Sequence, residues 1–117
     1  MSHRSERLQE LLRHEVSDLI LREVTVPGTF ITVLGVTVSP DGRYATVQFS
    51  VYPADKRAET VKKLERWAPE LQHMLNKRLQ MRPVPRVSFE LDTTEEEAGR
   101  IDELLKKEQA GGLEEKR

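Results

Sequence analysis

The side chains in this 117-residue chain that could do chemistry are its cations. Lys62, Lys63, Arg66, Lys77 and Arg78 lie in one helical stretch, with Arg82 and Arg86 just beyond it, and Arg4, Arg7 and Arg13 lie near the N-terminus. Helical spacing puts Lys62 and Arg66 one turn apart, and Lys77 and Arg78 flank the apolar positions Leu75 and Leu79. Cations at such spacing can track phosphates. Taken one at a time, each reads more simply as a solvated surface charge. Trp67 is a candidate stacking platform for an exposed base, although a lone Trp beside an apolar stripe more often packs at a core boundary.

Other chemistries find little support. There is no cysteine, so no thiol nucleophile, disulfide framework or Cys-based zinc site. His3, His14 and His73 lack metal-ligand spacing. Glu95, Glu96 and Glu97 with Asp92 read as carboxylates complementing a helix N-terminus rather than as a cation site. Ser39, Ser50 and Ser88 have no nucleophile-elbow context. Neither a catalytic constellation nor a cofactor is expected. No apolar run approaches the roughly 20 residues of a membrane span, and charges interrupt the N-terminal stretch where a signal-peptide core would lie, so a cytoplasmic protein is expected. The net charge of −1 hides a split: residues 1–91 carry 14 Lys and Arg against 11 Asp and Glu, and residues 92–117 carry 5 against 9. A mildly basic body with an acidic tail is compatible with a polyanionic partner.

The elements that must position these cations follow from periodicity. Leu8, Leu11, Leu12, Val16, Leu19 and Ile20 predict an amphipathic helix over about 4–24, ended by Pro27-Gly28. Phe30 to Ser39 is rich in β-branched residues, and Tyr44 to Tyr52 alternates, with Ala45, Val47, Phe49 and Val51 on one face. Ser39-Pro40-Asp41-Gly42 between them predicts a hairpin. Val61, Leu64, Ala68, Leu71, Leu75 and Leu79 keep one helical face from Glu59 to Met81. Pro69 in their midst removes an amide and disfavours helical geometry at Ala68, so two short helices joined at Trp67-Ala68-Pro69 are expected. Arg82-Pro83-Val84-Pro85 is extended, and Val87, Phe89 and Leu91 predict a third strand. Thr94 with Glu97 fits a capping box, and Ala98, Ile101, Leu104 and Leu105 predict a short last helix that ends at Gly111-Gly112.

The expected fold class is therefore α+β: a type II KH-like domain, α-β-β-α-α-β with a short C-terminal helix. Its helices would pack on one face of a three-stranded mixed sheet, with a helix-kink-helix at Trp67-Pro69. Residues 1–108 would form the domain and 109–117 a charged, flexible tail. KH domains clamp nucleotides with a Gly-x-x-Gly loop, and no such loop lies between these helices.

The residues also resemble those of the ribosome-binding factor A family, from about Arg4 to Leu105. The opening Arg4-Ser5-Glu6-Arg7-Leu8, running into Leu19-Ile20-Leu21, is similar to the family's first helix. Val33-Leu34-Gly35-Val36-Thr37-Val38-Ser39-Pro40-Asp41 followed by Tyr44-Ala45 is similar to its hairpin. Arg82-Pro83-Val84-Pro85-Arg86-Val87-Ser88-Phe89-Glu90-Leu91-Asp92 resembles its last strand. Two departures stand out: Val26-Pro27 where the family usually has Asp-Pro, and Trp67-Ala68-Pro69 where it usually has an Ala-x-Gly kink. The resemblance implies a bacterial assembly factor, not an enzyme. Such a factor binds the immature small ribosomal subunit, promotes late maturation of its RNA near the 5′ end, and supports growth in the cold. Its partners would be that subunit and its ribosomal RNA, with no membrane and no small-molecule substrate, and a monomer is expected. Under this resemblance the cations above become the RNA-binding set, with Trp67 a candidate contact at the kink. The alternative is a KH-like protein-interaction module that does not touch RNA.

Overall fold

Leu12, Val16, Leu19 and Ile20 recur on one face of helix α1 (His3–Glu23), and all are buried. Their spacing is why this stretch folds as a helix laid on a sheet rather than a solvated one. The computed structural model describes residues 3–94. After α1 come β1 (Phe30–Val38), β2 (Tyr44–Tyr52), a 3-10 turn (Ala54–Lys56), helix α2 (Arg57–Arg78) and β3 (Arg86–Leu91).

The three strands lie in the order β1-β2-β3. β1 pairs antiparallel with β2, and β2 pairs parallel with β3. The sheet is thus mixed, as expected for a hairpin followed by a helical crossover. Ala45, Val47, Phe49 and Val51 face the helices and are buried. Phe49 meets Phe89 edge-on, ring centroids 6.0 Å apart and planes at 89°, an arrangement in which one ring's positive edge faces the other's negative face.

β1 carries a detail that alternation alone does not show. The register shifts between Val33 and Gly35, leaving Leu34 as an extra residue. Before this bulge Ile31 and Val33 point at the helices; after it Val36, opposite Val47, and Val38, opposite Ala45, do so. Without the extra residue the pleat would turn Val36 to solvent. The hairpin turn is held by side chains as well as backbone. Gly42, at φ 74°, donates its amide to the Ser39 carbonyl over 2.9 Å. The Ser39 hydroxyl donates to Asp41 Oδ1 over 2.7 Å, the Arg43 amide donates to the same oxygen over 3.0 Å, and the Tyr44 amide donates to Ser39 Oγ.

The expected break at Trp67-Ala68-Pro69 does not occur. A single helix, α2, runs through Pro69 from Arg57 to Arg78. The domain therefore has one helix where two were expected, within the same KH-like α+β frame. The physical reason is where the ring falls. Pro69 is exposed, as is Glu65, whose carbonyl loses its amide partner and can be hydrated instead. On the opposite face Leu64, Leu71 and Leu75 are fully buried on both sides of the proline. An interior proline costs about 3 kcal/mol, and burying each leucine returns about 1.5–3 kcal/mol, so packing outweighs the local preference. Trp67 is half-buried and packs against this core, as expected for a boundary residue. The expected last helix over Ala98–Leu105 and the tail 109–117 lie outside the described residues.

Candidate nucleic-acid interface

The helical period distributes the cations of α2 unevenly. With about 100° per residue, Lys62, Arg66, Pro69, His73 and Lys77 fall within about 80° of one another. All of them are exposed. They form a stripe about 22 Å long down the solvent side of the helix, bordered by Glu65 and Glu70. Pro69 lies on this stripe, so the residue expected to break the helix instead occupies its outward line. Among the described residues, Lys62, Arg66 and Lys77 make no ion pair or side-chain hydrogen bond, which leaves their charges available.

Other expected site residues are held within the chain. Arg78 Nη1 reaches Glu15 Oε1 at 2.7 Å and Asp18 Oδ2 at 3.2 Å, closing the seam between α2 and α1. Its hydrogen bond, followed by that of Arg22, holds the Asp18 carboxyl below its ordinary value, outweighing the opposing effect of burial. Arg13 pairs with Glu10 one turn back on α1 and lowers that carboxyl too. Lys63 Nζ donates to the Thr25 carbonyl. Arg82 Nη1 folds back onto the carbonyls of Leu79, at 3.2 Å, and Met81, at 2.6 Å.

A second group of cations gathers at the hairpin end of the sheet. Tyr44 is the register partner of Arg86, and the Arg86 amide donates to the Arg43 carbonyl over 2.8 Å. The parallel pairing of β3 with β2 thus brings Arg43 and Arg86 together. The first turns of α1 reach the same end, because Gln9 Oε1 accepts the Val38 amide over 3.0 Å. Arg4 and Arg7 precede Gln9 on that helix and are exposed. Gln72 of α2 anchors the extended segment before β3: its amide group donates to the Pro85 carbonyl over 3.0 Å and accepts from the Val87 amide over 2.9 Å.

Arg43 was not among the residues expected from the sequence. It follows a turn and belongs to no helical stripe, so only the strand order reveals its neighbour. The sequence does carry one signal: it is a cation between Asp41-Gly42, which marks the turn, and an aromatic. Among the described residues, no group of three or more His, Cys, Asp or Glu could hold a metal ion, and no helix is long and apolar enough to cross a membrane.

Comparison with known proteins agrees with this frame. The family model described as ribosome-binding factor A matches residues 4–105. The ribosome-binding factor A of Halothermothrix orenii is 43% identical over 106 residues, covering 89% of this chain and 87% of that protein. The crystal structure of ribosome-binding factor A from Thermus thermophilus superposes with a TM-score of 0.63 at 24% identity, over 74% of this chain and 94% of that one, and so supports the fold. A homology model of the Thermus thermophilus factor, fitted into a cryo-EM map of a 30S–RbfA complex, matches with a TM-score of 0.58 at 26% identity, over 80% of this chain and 96% of that one. By sequence over most of its length and by fold, this chain belongs to the ribosome-binding factor A family.

Proposed function

We propose that this protein is a non-catalytic assembly factor. It binds the immature small ribosomal subunit and promotes late maturation of the subunit's RNA near the 5′ end. The observation that carries this reading is the exposed Lys62–Arg66–Lys77 stripe, whose cations have no partner among the described residues, in a chain of this family. The small subunit is suggested as partner by the Thermus thermophilus factor fitted into a map of a 30S–RbfA complex.

In this mechanism the stripe and the hairpin-end arginines contact phosphates. Counterion release then supplies much of the affinity, and the shape of the docking surface supplies the register. Arg78, Arg13, Lys63 and Arg82 have a first task inside the domain, holding α1, α2 and their loops, and reach RNA secondarily. The KH-like frame serves as a rigid carrier, since it lacks the Gly-x-x-Gly clamp. The RNA-binding unit spans residues 1–108, followed by the charged tail 109–117, and it acts as a cytoplasmic monomer that supports growth in the cold.

The test is co-sedimentation with immature small subunits before and after nuclease treatment. Loss of pelleting after limited digestion of the RNA supports the reading. Undiminished pelleting contradicts it and favours a protein-interaction module on the same scaffold.

A further inference from the structure

Two shallow clefts of about 320 Å³ each flank Pro83 and Val84 at the hairpin end. Arg43, Tyr44 and Arg86 line one; Gln72, Asn76 and Arg82 line the other, and Arg86 also borders it. Their size is at the lower end for small-ligand sites. No carboxylate lines either cleft. The nearby Asp41 carboxylate is engaged in the turn, where it accepts the Ser39 hydroxyl and the Arg43 amide; these two bonds, with a smaller Coulombic contribution from the Arg43 guanidinium, hold its carboxyl low.

Tyr44 is 56% exposed although it sits in a strand. As register partners on parallel strands, Tyr44 and Arg86 point to the same open face of the sheet, about 4.8 Å apart along the pairing direction. Among the described residues, no carboxylate lies within ion-pair distance of the Arg43 or Arg86 side chain, although the Arg43 charge is felt by Asp41. The platform under them is rigid. The Ser39–Asp41 network fixes Arg43 and Tyr44, the Arg86 amide is tied to Arg43, and Gln72 pins both sides of Arg86 by bonding Pro85 and Val87.

From this geometry we infer that the cleft of Arg43, Tyr44 and Arg86 is a subsite for one unpaired nucleotide of single-stranded RNA. The base stacks on the Tyr44 ring, and Arg43 and Arg86 hold the flanking phosphates. A duplex keeps its base faces covered by neighbours and cannot use the ring, so the site selects single strands. This deepens the proposed function and rests on its RNA partner. It places base stacking at the hairpin end rather than at Trp67, whose ring is engaged with the core.

The test is fluorescence anisotropy with a labelled single-stranded RNA of about 8 nucleotides and a blunt duplex of equal length. Wild type is compared with Tyr44→Phe and Tyr44→Leu, with thermal melts to verify folding. Tyr44→Leu keeps apolar bulk but removes the ring. It should weaken single-strand binding by about five- to a hundredfold, as for one stacked base, and leave duplex binding unchanged. Tyr44→Phe should bind as wild type does. Equal single-strand affinity in Tyr44→Leu and wild type would overturn the inference, as would equal losses for single strand and duplex. If wild type pellets with small subunits but ignores the oligonucleotide, the subsite is refuted and the proposed function stands. If wild type binds the oligonucleotide, with Tyr44→Leu weakened, but does not pellet with small subunits, the subsite stands and the proposed function falls.

Discussion

Replacing Pro69 by Ala should stabilise this protein, and the size of the gain can be worked from its position. Pro69 is exposed inside a continuous helix, so its ring contributes no core packing. Alanine restores an amide that can donate to the Glu65 carbonyl and removes the clash with the preceding turn. Interior proline costs about 3 kcal/mol relative to alanine. Against this, alanine loosens the unfolded chain, which returns about 0.4–1 kcal/mol. The net gain is about 2 kcal/mol, and a domain of this size gains roughly 4 °C in midpoint per kcal/mol. The midpoint of thermal unfolding followed by circular dichroism should therefore rise by about 8 °C. Affinity for small subunits should not change, because the line of Lys62, Arg66 and Lys77 is preserved. An unchanged or lower midpoint would mean instead that the ring is needed for the packing of Leu64 and Leu71.

Three further outcomes follow from individual contacts. Thr60 is fully buried and its hydroxyl has no partner among the described residues, so Thr60→Val should stabilise the fold by about 1 kcal/mol in denaturant unfolding. Gln72→Ala frees the Pro85 carbonyl and the Val87 amide and should cost about 1–3 kcal/mol, measured the same way. Arg78→Ala removes the larger cause that lowers Asp18, so the Asp18 carboxyl midpoint followed by NMR should move up toward its ordinary 3.8. The sign follows from a depressed folded-state value. The stabilisation from the Arg78–Asp18 contact is present above the ordinary carboxylate value and lost as pH falls through the folded one. The stability gap between wild type and variant should therefore narrow on acidification.

The features legible in the sequence were those set by local chemistry. Leu12, Val16 and Leu19 announce α1 by spacing, Pro40-Asp41-Gly42 announces the turn, and the alternation of β2 is unbroken, so burial and sequence agree there. Pro69 misled because its local preference is real but smaller than the burial of the leucines around it, a balance only the packed structure settles. The bulge at Leu34 was hidden because β-branched residues on both sides of it look alike until the pairing with β2 is known. Within the interface, the Lys62–Arg66 spacing was visible. The internal partners of Arg78 and Lys63 depend on how α1 and the Thr25 loop lie against α2, and Arg43 depends on β3 lying beside β2. Each is a long-range pairing that no local pattern encodes.

In the proposed function the exposed stripe of α2 binds RNA through its phosphates. Its most direct test is the salt dependence of affinity for small subunits, measured for wild type and for the combined Lys62→Ala, Arg66→Ala, Lys77→Ala variant. Each lost phosphate contact reduces the slope of log affinity against log salt by about 0.7–0.9. The variant's slope should then be shallower by about 2–3. Over a roughly fourfold rise in salt, wild type should lose about 20- to 40-fold more affinity than the variant. Parallel slopes, with affinity unchanged by the three substitutions, would show that these side chains do not contact phosphates.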